Sequence, residues 1–466
     1  MNVLGLRGAY RTISQFHENP RLVAWLSAQP WVIGFTAERR KAVLFFGAII
    51  AGVAGVFSRG ARWRDYRALT PWLEHGLAFL FLLALLCALY LAVIHFKQLP
   101  ATVRRRPQIW LHLLFWLLLV CLWFFTERGG FAVAVLALIL LSFPYLIWRA
   151  GYMLLSGQRG KAFNSRFRDH LFYIWPIWDG TNTPPGKGHD YLSRTQAQTP
   201  EAYARAILGG CKLLLLVAIW KICLELLGAL IYGDPKSSFS ALLRGYTLGL
   251  PRLKQILGAR MLEIPLLQVW LSLYLELIWE TLSLAAKGHV WVGVIRLFGF
   301  NIFRNTYKPL LARTIVEFWN RYYYYFKELM MECFFLPTYA RHFRQWPRLR
   351  VIAAVFAAAF VGNMYYHLLQ HKEPLVLGDW NKLWSLLGAR LIYCAMLAVG
   401  IAISMLRQQR QRSQVQASVA GPTNQFFTVR AIAGVWTFFA VINFWNVTSH
   451  LTIAGRARLF FSLFGF

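Results

Sequence analysis

The sequence predicts an all-α polytopic membrane protein of about nine to eleven transmembrane helices, and three observations carry that reading. Hydrophobic residues make up 58% of the 466 residues and charged residues only 15%, whereas an ordinary soluble domain is about 25% charged. Apolar runs close to the ~20 residues that a helix needs to cross a bilayer core recur along the chain. The 20 Trp, 20 Tyr and 36 Phe suit long membrane interfaces, where aromatic rings gather. Together these exclude a soluble enzyme, a secreted disulfide scaffold and a disordered chain.

Residues 1–42 mix Arg, Asn, Pro and Trp without a continuous apolar core. They are expected to lie at the interface as an amphipathic segment, with no cleavable leader, ahead of one polytopic domain over 43–466. Candidate spans follow at 43–58, 72–95, 109–126, 131–148, 207–231, 261–284, 351–369, 389–406 and 430–447. The stretch 289–300 is too short to cross alone and is expected to be re-entrant or to lie between other helices. The stretch 458–466 is expected to dip into the interface, and the polar stretch 408–425 reads as a loop. Two regions break the pattern. Residues 160–206 hold Pro176, Pro184, Pro185 and several Gly between apolar clusters, and residues 300–350 alternate charged and aromatic groups. Unsatisfied backbone and charge are costly against lipid. Both regions are therefore expected to pack inside the protein or on its cytoplasmic face, and a catalytic core is expected there.

Lys and Arg number 50 against 19 Asp and Glu, a formal net charge of +31. In a soluble protein that excess points to nucleic acid. Here the apolar runs are too long for a soluble reader, and no nucleic-acid partner is expected. The excess fits cationic loops beside membrane helices, held by the positive-inside effect and anionic lipid. Residues 1–42, 97–108 and 149–206 fall on one side, the more basic, which is placed in the cytoplasm. The basic segment 59–71 runs against that placement. None of the six cysteines forms a Cys-x-x-Cys pair, so neither a zinc site nor a disulfide framework is indicated.

The most informative segment is 296–337, RLFGFNIFRNTYKPLLARTIVEFWNRYYYYFKELMMECFFLP. It holds Leu297-Phe298-Gly299-Phe300, then Asn305, Pro309, Leu311-Ala312-Arg313-Thr314-Ile315, Glu317-Phe318-Trp319-Asn320-Arg321, and finally Glu332 and Pro337. These spacings resemble the signature region of the membrane-bound O-acyltransferase family, in particular its bacterial polysaccharide (alginate-type) O-acetylase branch. A second match follows an apolar run at Val361-Gly362-Asn363-Met364-Tyr365-Tyr366-His367, where the family places Gly-Gly-Leu-Trp-His. Trp175-Pro176, the Pro/Gly loop 180–188 and the run 207–221 are similar to the family's Gly-Pro loop and next helix, so the family-like core covers roughly residues 130–370.

The resemblance implies short or re-entrant helices around a central tunnel. There an acyl group, acetyl by likeness, would pass from a thioester, acyl-CoA or an acyl carrier, to a hydroxyl of an envelope glycan or lipid-linked acceptor. It implies a multi-pass protein of the inner (plasma) membrane, working in exopolysaccharide biosynthesis beside other envelope proteins and membrane lipids, with no bound cofactor. His367 takes the place of the family's catalytic histidine; a neutral imidazole can accept the acceptor's hydroxyl proton. Asn363, Trp319 and Glu332 fall at substrate-binding positions. Arg313 and Arg321 read either as holders of an anionic group or as side chains that snorkel or pair with Glu317.

Where the family has Trp-His, this chain has Tyr322-Tyr323, and its Gly-Tyr-Ser-Asp stretch has become Ala285-Ala286-Lys287-Gly288-His289. Tyrosine donates a hydrogen bond but is a poor base at neutral pH, so Tyr323 is expected to hold an acyl carbonyl or orient substrate. The departures imply either a different acceptor or a catalytically weakened member acting as a scaffold or conduit in glycan assembly. Other motifs fall short. His367 and His371 stand at i and i+4 without a third ligand, so no metal is expected. The run from Gly180 to Lys187 is one residue too long for a phosphate loop. Asn446-Val447-Thr448 is a formal glycosylation triplet at the end of a span. Glu276 and Glu280 share a helix face and read equally as tunnel lining or as partners of loop arginines.

Overall fold

The computed structural model describes residues 15–62, 71–159, 165–174, 183–184, 186–243, 245–258, 264–415, 425–447 and 451–465. Trp175, Pro176, Pro185, Glu263, Thr448 and the segment 416–424 lie outside those residues. The structure is 79% helical with no strand among the described residues; an isolated antiparallel bridge pairs Gln196 with Phe300. Eight of the described helices are long and apolar enough to cross a membrane. The chain is an all-α, multi-pass membrane protein. Its internal contacts divide it into two compact units.

The first unit comprises Met1–Leu216, His289–Arg304 and Val376–Gly378. It opens with α1 (Pro20–Ser27), which Asn19 caps by accepting from the Arg21 amide, and which Pro20 starts at a position where a missing N–H costs nothing. Val23 and Leu26 of α1 pack with Val32 against Tyr203, Ala204 and Ile207, while Trp25 and Trp31 stay exposed. Then come α2 (Ala37–Arg62), α3 (Pro71–Ile94), α4 (Pro107–Phe125) and α5 (Phe131–Gln158). α3 and α4 both pack on α5. In the most apolar stretch of α5 78% is buried, against 22% in α3 and in α4. α5 is thus the core helix of this unit, and the other two keep broad outward apolar faces of the kind that lipid covers.

α5 runs ten residues beyond the predicted end of its span, because Tyr152, Met153, Leu154 and Leu155 continue the apolar run past Arg149. Arg149 is therefore no loop cation. It is fully buried, with Nη1 donating to the Tyr145 carbonyl at 2.8 Å and its guanidinium 4.1 Å over the Tyr145 ring. α6 (Phe167–Ile174) packs against α2 and α5, and α7 (His189–Thr195) against α5 and α6. This part of 160–206 is packed inside the unit. α8 (Pro200–Leu230) follows.

α9 (Leu266–Leu297) is one continuous helix of 32 residues. It joins the stretch expected to be re-entrant, 289–300, to the preceding span. Ala285 and Ala286 are strong helix formers, no proline intervenes, and Gly288 costs only about 1 kcal/mol relative to Ala.

The second unit comprises Val217–Gly288, Asn305–Leu375 and Asp379–Phe466. Here the charged-aromatic region becomes short pieces: α10 (Ile315–Tyr322), α11 (Tyr324–Met330), a π-helical turn Met331–Phe335 and α12 (Leu336–Arg341). Next, α13 (Pro347–Val355), a second π segment Phe356–Gly362 and α14 (Asn363–Gln370) form one apolar span, Pro347–Gln370. α15 (Trp380–Val415) takes α13, the π segment and α14 along its side, and α10 packs on α15 and on α16 (Gln425–Asn443). The apolar part of α16, Val429–Asn443, is shorter than the eight spanning helices. α17 (Ile453–Ser462), capped by Thr452, is the last described helix.

Candidate functional site

The site is built from α14 upward. The π segment Phe356–Gly362 inserts extra residues just ahead of it, a local strain found often beside functional positions. It packs on the other π turn, Met331–Phe335, which carries Glu332. The approach is close at Gly362: a Cβ there would stand 2.6 Å from Phe334 Cδ2 and 3.0 Å from the Met330 sulfur. Asn363 and His367, four residues apart, lie on one face of α14. Asn363 is buried and His367 half-buried.

His367 Nδ1 stands between two partners. Arg390 Nη1 of α15 is 3.3 Å away and Gln370 Oε1 is 3.2 Å away. A guanidinium only donates, so Nδ1 accepts from Arg390 when the ring proton sits on Nε2. When Nδ1 carries the proton it donates to Gln370, and Nε2 presents a free lone pair. The same Arg390 Nη1 donates to His371 Nε2 at 3.0 Å. Burial and Arg390 push the His371 imidazole down to about 4. The i, i+4 histidine pair thus faces a guanidinium, and no group of three or more His, Cys, Asp or Glu is assembled for a metal among the described residues.

Tyr322 and Tyr323 lie at the break between α10 and α11, where Tyr323 leaves helical geometry (φ −140°, ψ 80°). The segment 305–307 zips onto that break. Tyr307 donates its amide to the Arg321 carbonyl at 2.8 Å, Tyr324 donates to the Asn305 carbonyl at 2.8 Å, and Thr306 Oγ1 donates to the Tyr322 carbonyl at 3.0 Å. The Asn305 side chain accepts from the Tyr325 amide at 3.3 Å. Asn305 therefore holds the backbone that aims the tyrosines. Burial, first, and then Glu280, Tyr393 and Tyr323 push the Tyr322 phenol well above its ordinary range. It stays protonated at neutral pH and keeps an O–H able to donate. A chain of rings leads from Tyr323 to Phe326 (5.6 Å between centroids), from Phe326 to Tyr366 (4.8 Å), and on to His367 (6.1 Å). Trp319 meets the same Phe326 edge-on at 5.7 Å.

The two acids of α9 part ways. Glu276 Oε1 pairs with Arg252 Nη2 at 3.0 Å, and that guanidinium lies 4.0 Å over the Trp279 ring. Glu280 belongs with the Tyr322 cluster. Arg321 pairs with Glu317. Arg313 is exposed, and its amide donates to Glu317 Oε2 at 2.6 Å, while Thr314 Oγ1 caps α10 by accepting from the Glu317 amide at 3.1 Å. Arg313 stands at the opposite end of α10 from Tyr323, about 12 Å of helix away. Arg321 and Trp319 share the Tyr323 end; Arg313 does not.

Comparison with known proteins finds no matching family model and no matching curated protein.

Arg390, Gln370 and Tyr393 are site neighbours that sequence reasoning missed. Arg390 had a signal: it is a cation within the apolar span Trp380–Gln411, and intramembrane charges mark function by default. Gln370 had none, since a helix-end glutamine three residues after a histidine is ordinary.

Proposed function

We propose that the protein is a membrane O-acyltransferase. In this reading it moves an acyl group, acetyl by likeness, from acyl-CoA or an acyl-carrier thioester to a hydroxyl of an envelope glycan or lipid-linked acceptor at the plasma membrane. The observation that carries the reading is the likeness of 296–337 and 361–367 to the polysaccharide O-acetylase branch, with a histidine at the position of the family's base. The chemistry is consistent with the neighbourhood of His367. With Nδ1–H donated to Gln370, the Nε2 lone pair takes the acceptor's hydroxyl proton as the oxygen attacks the thioester carbonyl. The C–S bond then breaks, and the leaving thiolate takes the proton back from the imidazolium. The Tyr322 or Tyr323 phenol supplies a donor to the carbonyl oxygen as it gains charge, and Asn363, one turn before the base, supplies another polar contact.

The test is acyl incorporation into envelope glycan by cells carrying His367→Ala at equal expression. The expected loss is about 100-fold or more; unchanged incorporation would sink the role of His367. A second reading, a scaffold or conduit in glycan assembly, is favoured by the Tyr322-Tyr323 replacement of Trp-His and by the engagement of Arg321 with Glu317. It wins if His367→Ala and Tyr323→Phe both support full function while truncations do not.

A further inference from the structure

A separate feature lies in the first unit. His17 and Glu18, the first turns of α8, the end of α9 and the stretch 301–304 line a cavity of about 320 Å³. Its wall carries Arg205, Lys212, Arg296 and Arg304 against a single carboxylate, Glu18, with His17 among them. A volume near 300 Å³ is the lower range of small-ligand pockets.

The sequence builds this convergence from distant pieces. Arg205 and Lys212 are seven residues apart on α8, two turns along one face. Arg296 closes α9, and its Nε and Nη2 both donate to the Ile302 carbonyl, at 3.0 and 2.7 Å. That fork fixes the guanidinium and turns Nη1 toward Gly209. A Cβ at 209 would meet Nη1 at 3.1 Å, so the glycine keeps the floor of the cavity open. Arg304 follows Ile302 by two residues. Lys212 Nζ lies 3.4 Å from His17 Nδ1. Burial, then Lys212, and further Arg296 and Arg304 hold the His17 imidazole below its usual range, with Glu18 opposing. His17 is thus neutral at pH 7 and accepts from Lys212.

Loop cations that merely anchor a helix extend outward toward water and lipid headgroups. Here Lys212, Arg296 and Arg304 are half-buried and line one concavity, where like charges gather and Glu18 is the carboxylate among the described lining residues. A tetrahedral dianion supplies several acceptor oxygens for several donors, and guanidinium groups match it in paired geometry.

We infer that this cavity binds a phosphate group, carried either by an anionic lipid headgroup or by a soluble phosphate ester. The site is independent of the proposed acyl transfer.

The experiment uses the purified full chain in neutral detergent. One arm titrates inorganic pyrophosphate by calorimetry. The other reconstitutes the protein in vesicles of equal phosphatidylglycerol and phosphatidylcholine, extracts it, and counts retained lipids by native mass spectrometry. Wild type is compared with Lys212→Gln/Arg304→Gln and with Gly209→Val. We expect at least tenfold weaker binding in the variants on at least one arm. Loss on the pyrophosphate arm alone identifies a soluble ester; loss on the lipid arm alone identifies a headgroup; loss on both shows that the site accepts either. Equal binding by wild type and correctly folded variants on both arms overturns the inference. Should the variants fail to fold, wild type alone decides. Its pyrophosphate affinity or phosphatidylglycerol preference must fall severalfold between about 50 and about 300 mM salt, and salt-independent or undetectable binding on both arms overturns it.

Discussion

At the scale of single residues, the decisive feature is that His367 Nδ1 has two partners with opposite demands. Arg390 donates to it and Gln370 Oε1 accepts from it. In the proposed acyl transfer only the second arrangement would leave Nε2 as the base, and Gln370 would then be the residue that favours that tautomer. Gln370→Leu keeps the bulk and removes the acceptor. It is expected to lower kcat of acyl transfer about 10- to 100-fold, the usual cost of losing an orienting partner, with KM little changed. Gln370→Glu restores an acceptor and is expected to recover most of the rate. Steady-state kinetics of the two variants check this; a KM effect without a kcat effect would point to substrate contact instead. The residue level was also only partly legible. His367 and Tyr323 are singled out only by their places in the stretches 361–367 and 296–337 that resemble the O-acyltransferase signature. Arg390 comes from a helix that packs alongside only after folding, and no local pattern ties it to position 367. Of the two arginines, the fold pairs the Arg321 guanidinium with Glu317, whereas Arg313 meets Glu317 through its backbone amide alone, a contact any residue there could make.

At the scale of elements, the region least helical in its pattern forms the most irregular packing. Two π segments, Met331–Phe335 and Phe356–Gly362, lie against each other, and each places a residue of interest, Glu332 within the first and Asn363 directly after the second. Their closeness depends on Gly362, whose missing Cβ makes room for Phe334. Gly362→Ala is expected to destabilise the protein by about 1–3 kcal/mol, as overpacking of a filled contact does. Adding Phe334→Leu to that variant is expected to return most of the loss, because the two sites share one volume. Thermal unfolding of the single and double variants in detergent measures the coupling; additive effects would show that the two side chains do not share that contact. The spans themselves were readable, since length and apolarity decide them and need no tertiary knowledge. Their ends were not. α5 continues past Arg149 because the Tyr145 carbonyl and ring receive its guanidinium, and α9 continues through Lys287-Gly288-His289 because the stretch holds no proline and Lys287 is exposed; a charged residue in sequence does not by itself mark a helix end.

At the scale of the whole molecule, the charge balance sets how the protein meets acid. Most proteins lose stability in acid as paired carboxylates are protonated. Here only 19 Asp and Glu stand against 50 Lys and Arg, so the first losses fall to imidazoles that fold into apolar surroundings. His170 of α6 is the clearest case: buried beside His189 at 4.9 Å and bonded to Ser165 Oγ through Nε2 at 2.7 Å. Burial, then the His189 ring, push its imidazole down to about 3, with Asp169 opposing. His189 is lowered as well, by burial first. The sign follows from proton uptake. Above about pH 6.5 the folded and unfolded chains both hold His170 neutral. As pH falls below that, the unfolded chain binds a proton that the folded chain refuses until about pH 3. Stability is therefore full above the ordinary imidazole value and is lost through the window beneath it. One such group contributes a slope of up to about 1.4 kcal/mol per pH unit. The melting temperature in detergent is expected to hold steady from about pH 8 to 7 and to drop between about pH 6 and 4.5, earlier than carboxylate protonation alone would cause. In His170→Gln, which keeps a polar partner for Ser165 but has no proton to take up, the drop is expected to be shallower over that window. Parallel pH–melting curves of wild type and variant would show otherwise, and would move the acid sensitivity from α6 to the remaining histidines or to repulsion among the excess cations.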